Sequence, residues 1–457
     1  MASMSSALLP LLLLCLWFYH VSGDEQGLWV VRVESLLPRP ICSSPKVPAA
    51  GGNTLKVAHR RGPCSSFGTK PNPALTLRQD MLRVESLQRG LSGGAPSKGT
   101  QLQASQVSIP TRWGRPIGTG NYLVTVGFGS PRKDQTLVFD TGSNVCWIQC
   151  MPCAGSCYQQ QDPLFDPSAS STYRNISCSS ATCSSLDIRG CNSGTCVYGV
   201  QYGDQSTTVG FLVQDTLTLT PENVFQNFVF GCGQNNRGLF GRAAGLIGLG
   251  RDSFSLVSQT SQVLGGTFSY CLPATSSSTG YLTMGRSATS ASYTPMLTDS
   301  RDPSLYSIAL TGISLGGRLL PISPTVFQTS GSIIDSGTVI TRLPPSAYAA
   351  LRTAFRSAMS QYPMAQPLSI LDTCYDFSKV QTIEVPTVVL HFDGGADLPL
   401  QVPGIFFVAD ISQVCLAFAG NGSPGDLGII GNTQQKTTEV IYDLGARRIG
   451  FATKACS

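Results

Sequence analysis

Two short segments, one in each half of the chain, carry the residues best suited to chemistry. Each is an apolar run that ends on an aspartate, Asp140 in the first and Asp335 in the second. The residues that follow are Thr141, Gly142 and Ser143 in the first segment and Ser336, Gly337 and Thr338 in the second. A carboxylate at the end of a buried strand is costly unless it accepts hydrogen bonds, and nearby hydroxyl and amide groups can donate them. Two such sites in one chain predict two carboxylates that face one another.

This pattern resembles the pepsin-like aspartic proteases, and the cysteine-dense segment at residues 150–196 resembles the insertion of their plant nepenthesin-like group. In that family two apolar residues and a glycine pass close to each aspartate loop, and residues 246–248 and 429–431 have this form. Trp147 stands seven residues after Asp140, and Tyr202-Gly203 occupies the place of the family's flap tyrosine. The resemblance extends from about residue 120 to residue 456.

The resemblance implies an all-β fold with few short helices, built as two related lobes with the active-site cleft between them. It implies an aspartic-type endopeptidase in which Asp140 and Asp335 are catalytic and the hydroxyls and glycines beside them are supporting residues. Tyr202, Gly203 and Trp147 would form the substrate flap. Two adjacent carboxylates share one proton, so one activates a water while the other donates to the scissile carbonyl oxygen. This mechanism needs no metal and no cofactor.

Few other hydrolytic mechanisms are compatible with the histidine content. The chain has three histidines, and only His391 lies in the protease-like region. A histidine-rich zinc site cannot be built from one imidazole, and a serine or cysteine hydrolase needs a nucleophile beside its histidine. The sequence around His391 is an apolar strand with no nucleophile signature, so we expect a structural histidine. No phosphate-binding glycine loop is recognisable.

The cysteines predict a disulfide framework. Of 16 cysteines, 13 lie between Cys146 and Cys456, and a secreted chain would pair them. The odd number leaves one thiol, which we assign to Cys146 in its apolar surroundings. The spacing around residues 150–157 leaves a zinc site as an alternative. The resemblance implies the pairs Cys150–Cys153, Cys157–Cys232, Cys178–Cys196, Cys183–Cys191, Cys271–Cys456 and Cys374–Cys415.

The N-terminal region predicts a signal peptide over residues 1–23 and a prosegment over residues 24–110. The apolar run within residues 1–23 is too short to span a membrane comfortably, which argues against a membrane anchor as the alternative to a signal peptide. Residues 24–110 carry 11 Lys and Arg residues against 5 Asp and Glu residues. Within them we expect a helix from Leu75 to Leu91. We expect the cations of this prosegment, Lys56, Arg60 and Arg61 in particular, to neutralise an acidic cleft; a solvated tail is the alternative. The mature chain is expected to begin between Lys98 and Tyr122.

The remaining expectations concern organisation and partners. The N-terminal lobe is placed at residues 111–297, with a cysteine-rich insertion at 150–196, and the C-terminal lobe at 298–457. Near-neutral charge after residue 110 argues against nucleic-acid binding. Protein or peptide substrates and the chain's own prosegment are the expected partners of a monomer that contacts no membrane after signal removal. Asn175 and Asn421 are candidate glycosylation sites of an extracellular (apoplastic) or vacuolar glycoprotein.

A glycosidase inhibitor of the same fold with a degenerate site is the alternative function, and the intact aspartates favour the enzyme.

Overall fold

The fold is described from a computed structural model. It describes residues 27–43, 53–68, 72–92, 100–102, 121–202, 205–285 and 290–453. The predicted signal peptide, Gly203, Cys456 and most of the region expected to contain the mature N-terminus lie outside these ranges.

The region assigned to the prosegment contributes three strands and the longest described helix. Its elements are β1 (Leu28–Arg32), β2 (Thr54–His59), α1 (Pro73–Ser92) and β3 (Thr100–Leu102). The helix predicted from Leu75 to Leu91 is therefore confirmed.

The first half of the protease-like region is built mainly of strands. Its elements are β4 (Tyr122–Phe128), β5 (Lys133–Asp140), β6 (Trp147–Gln149), β7 (Arg174–Asn175), α2 (Ala181–Ser184), β8 (Ile188–Asn192), β9 (Thr195–Gln201), β10 (Thr207–Thr220), β11 (Asn223–Arg237), β12 (Gly245–Gly248), α3 (Leu256–Leu264), β13 (Thr267–Cys271), β14 (Thr279–Met284) and β15 (Ser292–Pro295).

The second half has the same character. Its elements are β16 (Ser307–Ile308), β17 (Leu310–Leu315), β18 (Arg318–Leu319), α4 (Thr325–Gln328), β19 (Ser332–Ile334), β20 (Thr341–Leu343), α5 (Pro345–Ala358), β21 (Met364–Ala365), β22 (Cys374–Tyr375), β23 (Thr382–Pro386), β24 (Val388–Phe392), β25 (Asp397–Leu400), α6 (Val402–Ile405), β26 (Phe406–Asp410), β27 (Gln413–Leu416), β28 (Phe418–Gly420), β29 (Gly428–Ile430), β30 (Glu439–Asp443) and β31 (Arg448–Ala452). The predicted mainly β fold class is confirmed.

The two halves repeat one strand order around the two aspartates. In the first half the order is β4-β5-β12-β6-β11, and in the second it is β16-β19-β29-β20-β28. In each, the strand before the aspartate pairs in parallel with the strand that carries the apolar-glycine signature. These strands are buried, which explains why both read as continuous apolar runs rather than alternating ones. The internal duplication indicated by the sequence thus reappears as strand topology.

The N-terminal elements β1, β2 and α1 are built into this framework rather than attached to its surface. Strand β2 lies between β14 and β4 in the largest sheet, and β1 pairs with β23 in the second half. Helix α1 buries Leu77 against Val339, Ile340 and neighbouring residues of the second half, and it buries Val84 and Leu87 in a separate apolar cluster. The alternative of a solvated tail is therefore wrong for these segments.

The disulfide pairing differs from the pairing implied by resemblance. Among described cysteines the bonds are Cys42–Cys64, Cys150–Cys232, Cys153–Cys157, Cys178–Cys191, Cys183–Cys196 and Cys374–Cys415. Only Cys374–Cys415 matches, because these residues lie directly opposite one another in β22 and β27. Cys271 is also bonded, but its expected partner lies outside the described residues.

Strand geometry explains the four pairs that were wrong. Strand β6 runs parallel to β11 and places the backbone of Cys150 against Gly233, next to Cys232. That leaves Cys153 and Cys157 to close a short loop. In the β8–β9 hairpin, Cys191 and Cys196 face one another, and each bonds a different cysteine of the preceding segment. Spacing along the chain could not reveal these neighbours.

Candidate active site

The two aspartates stand at equivalent ends of the duplicated framework. The parallel pairing of β5 with β12 sets Gly248 opposite Asp140, and the backbone N–H of Asp335 donates to the carbonyl of Ile430 at 3.1 Å. Both carboxylates are buried, each with 1% exposure. The apolar-glycine segments therefore fix the backbone on which each carboxylate is carried.

Each carboxylate accepts matching hydrogen bonds from its own loop. The N–H of Gly142 donates to Asp140 Oδ1 at 3.1 Å, and the N–H of Gly337 donates to Asp335 Oδ1 at 3.1 Å. The hydroxyl of Ser143 donates to Asp140 Oδ2 at 2.9 Å, and that of Thr338 donates to Asp335 Oδ2 at 2.5 Å. The sequence pattern of hydroxyl, glycine and hydroxyl is thus a carboxylate cradle, present twice.

The remaining two hydroxyls tie the loops to each other. The N–H of Thr141 donates to the Ser336 hydroxyl at 3.1 Å, and the N–H of Ser336 donates to the Thr141 hydroxyl at 2.9 Å. A third bond of 3.3 Å joins the two hydroxyls. This reciprocal brace fixes the separation of the two aspartate loops, which is what a pair of cooperating carboxylates requires.

One guanidinium group joins the two carboxylates. Arg83, on the buried face of α1, is fully buried and its Nη2 donates to Asp140 Oδ1 at 2.8 Å and to Asp335 Oδ1 at 2.7 Å. Its Nε donates to Asp335 Oδ2 at 2.9 Å and its Nη1 to Asp140 Oδ2 at 3.2 Å. Helix α1 therefore places one cation between the two carboxylates.

Burial is the largest influence on the pKa values of two carboxylates near Arg83, those of Asp140 and Asp80. Desolvation raises the pKa of Asp140, the Arg83 cation opposes that rise, and the neighbouring Asp335 adds to it. Burial likewise raises the pKa of Asp80 on α1, with Arg342 opposing. For both Asp140 and Asp80, desolvation of the buried carboxylate therefore outweighs the neighbouring guanidinium.

The inhibitory cations expected from the sequence are not those at the carboxylates. Lys56 is an exposed residue of β2. Arg60 donates to the Gln79 side chain at 2.9 Å, and Arg61 donates to the Thr76 hydroxyl at 2.7 Å. These two arginines thus connect the segment before α1 to α1 itself. The expectation that Lys56, Arg60 and Arg61 neutralise the cleft was based on the net charge of the segment. Which cation contacts the two carboxylates depends instead on which residue lies on the buried face of α1.

The flap residues named from the sequence lie together. Tyr202 follows β9 at the tip of the β9–β10 hairpin, and its hydroxyl accepts from Trp147 Nε1 at 2.8 Å. Both side chains are buried, and burial raises the pKa of Tyr202 well above its ordinary value. Phe240 packs against both rings. The tyrosine hydroxyl stays protonated and is held in place, while Gly203 lies outside the described residues.

Cys146 has the surroundings expected from the sequence. It is the free, buried cysteine among the described residues, and burial raises the pKa of its thiol to about 12. A thiol that remains protonated is a poor nucleophile and a poor metal ligand. Within the described ranges, no group of three or more His, Cys, Asp or Glu residues is arranged to hold a metal ion.

His391 has partners that the sequence did not reveal. Its Nε2 lies 2.7 Å from the Ser314 hydroxyl and its Nδ1 lies 2.7 Å from Asp397 Oδ1. The three residues sit on neighbouring strands β17, β24 and β25. A serine is therefore beside the histidine after all. However, the Asp397 side chain is 56% exposed, and acyl transfer needs a water-excluded site with preorganised donors, so we interpret the three as a cross-strand hydrogen-bond network.

The two glycosylation candidates differ in their surroundings. Asn175 is exposed on β7. The Nδ2 of Asn421 donates to the carbonyls of Asp426 and Leu427 at 3.0 and 3.1 Å. A glycan attached to that nitrogen would disturb both bonds, so Asn175 is the better acceptor of the two.

Comparison with known proteins gives a consistent relationship. Two family models described as xylanase inhibitor N-terminal and xylanase inhibitor C-terminal match residues 122–286 and 305–453. An aspartyl protease family protein of Arabidopsis thaliana is 47% identical over 93% of this chain and 93% of its own. Aspartic proteinase nepenthesin-1 of Nepenthes gracilis is 37% identical over 74% of this chain and 79% of its own. The structure of basic 7S globulin from soybean shares 20% identity at a TM-score of 0.58, covering 74% of this chain and 92% of that one.

The duplicated framework and paired aspartates define the class of pepsin-like acid protease folds. Within that class, this chain belongs to the plant aspartyl protease family. The two relatives above are named as an aspartyl protease family protein and an aspartic proteinase, and the soybean structure supports the fold alone. Within the described residues, no helix has the length and apolarity needed to span a membrane.

Proposed function

We propose that the chain is the precursor of an aspartic endopeptidase whose own prosegment blocks the site. The observation that carries this proposal is the single buried guanidinium of Arg83 bound to both Asp140 and Asp335. A buried cation between two carboxylates neutralises charge that would otherwise be costly to bury. It also fills the space that a scissile bond needs, so the docked helix and a substrate exclude one another.

After α1 leaves, the two carboxylates would share one proton. The ionised carboxylate would take a proton from a water between them, and the protonated one would donate to the scissile carbonyl oxygen. The amides of Gly142 and Gly337 and the outer hydroxyl donors hold both carboxylates in register. Tyr202, anchored by Trp147, would cover the substrate from the flap hairpin. No step requires a metal or a covalent intermediate.

An inhibitor of glycosidases remains the second candidate, because the matching family models are described as xylanase inhibitor domains. A binding protein would have no need of the complete double cradle or of an arginine that masks it. Both features are present here, which favours the protease. The predicted signal peptide, maturation between Lys98 and Tyr122, monomeric state and delivery to the apoplast or vacuole belong to this same proposal.

The test is acid activation of the purified precursor followed by digestion of a peptide library. We expect cleavage after acid treatment, loss of cleavage with a statine-type inhibitor, and no cleavage by precursors carrying Asp140→Asn or Asp335→Asn. Inhibition of a xylanase by an acid-treated protein that cleaves no peptide would instead establish the inhibitor function.

A further inference from the structure

A second charged residue of α1 is buried at the cleft, one helical turn before Arg83. Asp80 is fully buried, and its Oδ2 accepts from Arg342 Nη2 at 2.8 Å. Its Oδ1 accepts from the backbone N–H of Val339 at 2.6 Å. The carboxylate is therefore held by a guanidinium and a backbone amide together, an arrangement that suits a carboxylate ligand.

This carboxylate site adjoins the catalytic loop. Val339 directly follows Thr338, whose hydroxyl donates to Asp335 Oδ2. Arg342 lies on β20, and its Nη1 donates to the carbonyl of Ile340 at 2.9 Å. This hydrogen bond, made within its own strand region, helps to fix the position of the guanidinium. Asp80 and Arg83 stand three residues apart and share one helix face. A side chain of a bound peptide that contacts Arg342 would therefore lie one or two residues away from the peptide group held between Asp140 and Asp335.

Removal of α1 leaves these donors without their carboxylate. Among the described residues, Asp80 is the acidic partner within ion-pair distance of Arg342, which is 4% exposed. Once α1 has left, the Arg342 guanidinium and the Val339 N–H no longer have the carboxylate that they bound, and a guanidinium binds a carboxylate through charge-assisted hydrogen bonds. Asp80 belongs to the prosegment and leaves with it, whereas Arg342 remains in the mature protein.

We propose that Arg342 is a specificity-determining residue of the mature enzyme, which binds the side chain of an aspartate or glutamate in the substrate close to the scissile bond. Asp80 then acts as an internal stand-in for that side chain. This inference rests on the proposed endopeptidase function and adds to it a class of substrate, namely peptides with an acidic residue near the cleaved bond.

The experiment compares matched peptides cleaved by the acid-activated enzyme at pH 5, where acidic side chains are mostly ionised. Each pair carries Asp or Asn at one position, scanned over two residues on both sides of the scissile bond. At one position we expect kcat/KM to favour Asp over Asn on the order of tenfold, the value of a charge-assisted hydrogen bond. Arg342→Gln should bring that ratio close to one, and Arg342→Glu should shift the preference to Lys.

A compensating variant separates specificity from folding. Arg342→Gln leaves Asp80 unpaired in the precursor, so it is combined with Asp80→Asn, which disappears with the prosegment at maturation. The matched control is Arg318→Gln, an exposed arginine of β18, which should keep the wild-type Asp-to-Asn ratio.

The outcomes distinguish this inference from the proposed function. If the activated wild-type protein cleaves peptides but shows no acidic preference at any position, or if Arg342→Gln keeps the preference, the inference is overturned and the protease function stands. If the activated wild-type protein cleaves neither peptide of any pair, both fail together.

Discussion

Replacing Arg83 by Met is the perturbation that the zymogen arrangement predicts most sharply. Methionine keeps an unbranched side chain of comparable length on α1 but removes the cation. Asp140 and Asp335 would then remain buried under the helix without the guanidinium that joins them. The helix would keep its apolar contacts through Leu77 and Leu87. The change therefore weakens docking of the prosegment without removing its packing.

The expected magnitude follows from burial. Arg83 is fully buried and both carboxylates are nearly so, and removing one partner from a buried ion pair costs about 3–5 kcal/mol. At about 1.4 kcal/mol per factor of ten, the ratio of docked to released prosegment should fall roughly a hundred- to a few thousandfold. Because apparent affinity scales with the competent fraction, an active-site ligand should bind the variant precursor more tightly by a comparable factor.

The assay is binding of a statine-type inhibitor to intact precursors at pH 5, with intactness verified by mass spectrometry. The control is Arg78→Met, which removes an exposed arginine of the same helix and should bind the inhibitor as the wild-type precursor does. Equal apparent Kd values for intact wild-type and Arg83→Met precursors would refute the claim that this ion pair holds the helix over the site.

The same variant should change the response to pH. Arg83 lowers the pKa of Asp140 against the opposing effects of burial and Asp335, so removing the cation raises that pKa further. In the docked variant Asp140 should therefore take up a proton at a higher pH, which relieves the buried charge that the lost cation leaves behind. The difference in inhibitor Kd between variant and wild-type precursors should therefore narrow as pH falls. Asp80 acts in the same direction in both precursors: its pKa is raised by burial, so as pH falls its protonation favours the docked form.

Three further predictions follow from buried side chains. After signal removal and denaturation the protein should show one titratable thiol, from Cys146; zero or three would contradict the bridge assignment. Cys374→Ala with Cys415→Ala should lower the free energy of unfolding by about 2–5 kcal/mol, seen as an earlier denaturant midpoint than in Cys146→Ala, and an unchanged midpoint would contradict it. Trp147→Phe removes the hydrogen bond to Tyr202 and should reduce kcat/KM by a factor of a few to ten; wild-type kcat/KM would show that this bond does not position the flap.

The sequence was most informative where chemistry depends on neighbours along the chain. Each aspartate is followed within three residues by the groups that bind it, so the cradles around Asp140 and Asp335 could be read directly. The helix of the prosegment was readable because Leu77, Val84 and Leu87 repeat at helical spacing. Cys146 could be assigned as the free thiol because its immediate surroundings are apolar.

The sequence was least informative where contacts depend on distant segments. Four of the disulfide pairs implied by the resemblance were wrong, because strand pairing, which the sequence does not show, decides which cysteines meet. The inhibitory cation was misassigned to Lys56, Arg60 and Arg61 because net charge does not show where a side chain points. A signal did exist: Asp80 and Arg83 lie on the same face as the apolar residues of α1, and charges on a buried face require partners.

The most direct test of the central claim is peptide hydrolysis by the acid-activated protein with and without its two carboxylates. Wild-type protein should cleave a peptide substrate at acid pH, whereas Asp140→Asn and Asp335→Asn should lose measurable cleavage while keeping a cooperative unfolding transition. The precursor of each variant would be matured in trans by wild-type enzyme, then separated from it, so that failure to mature is not mistaken for failure of catalysis. Wild-type rates in either folded, matured variant would contradict the account of the two aspartates as one catalytic pair.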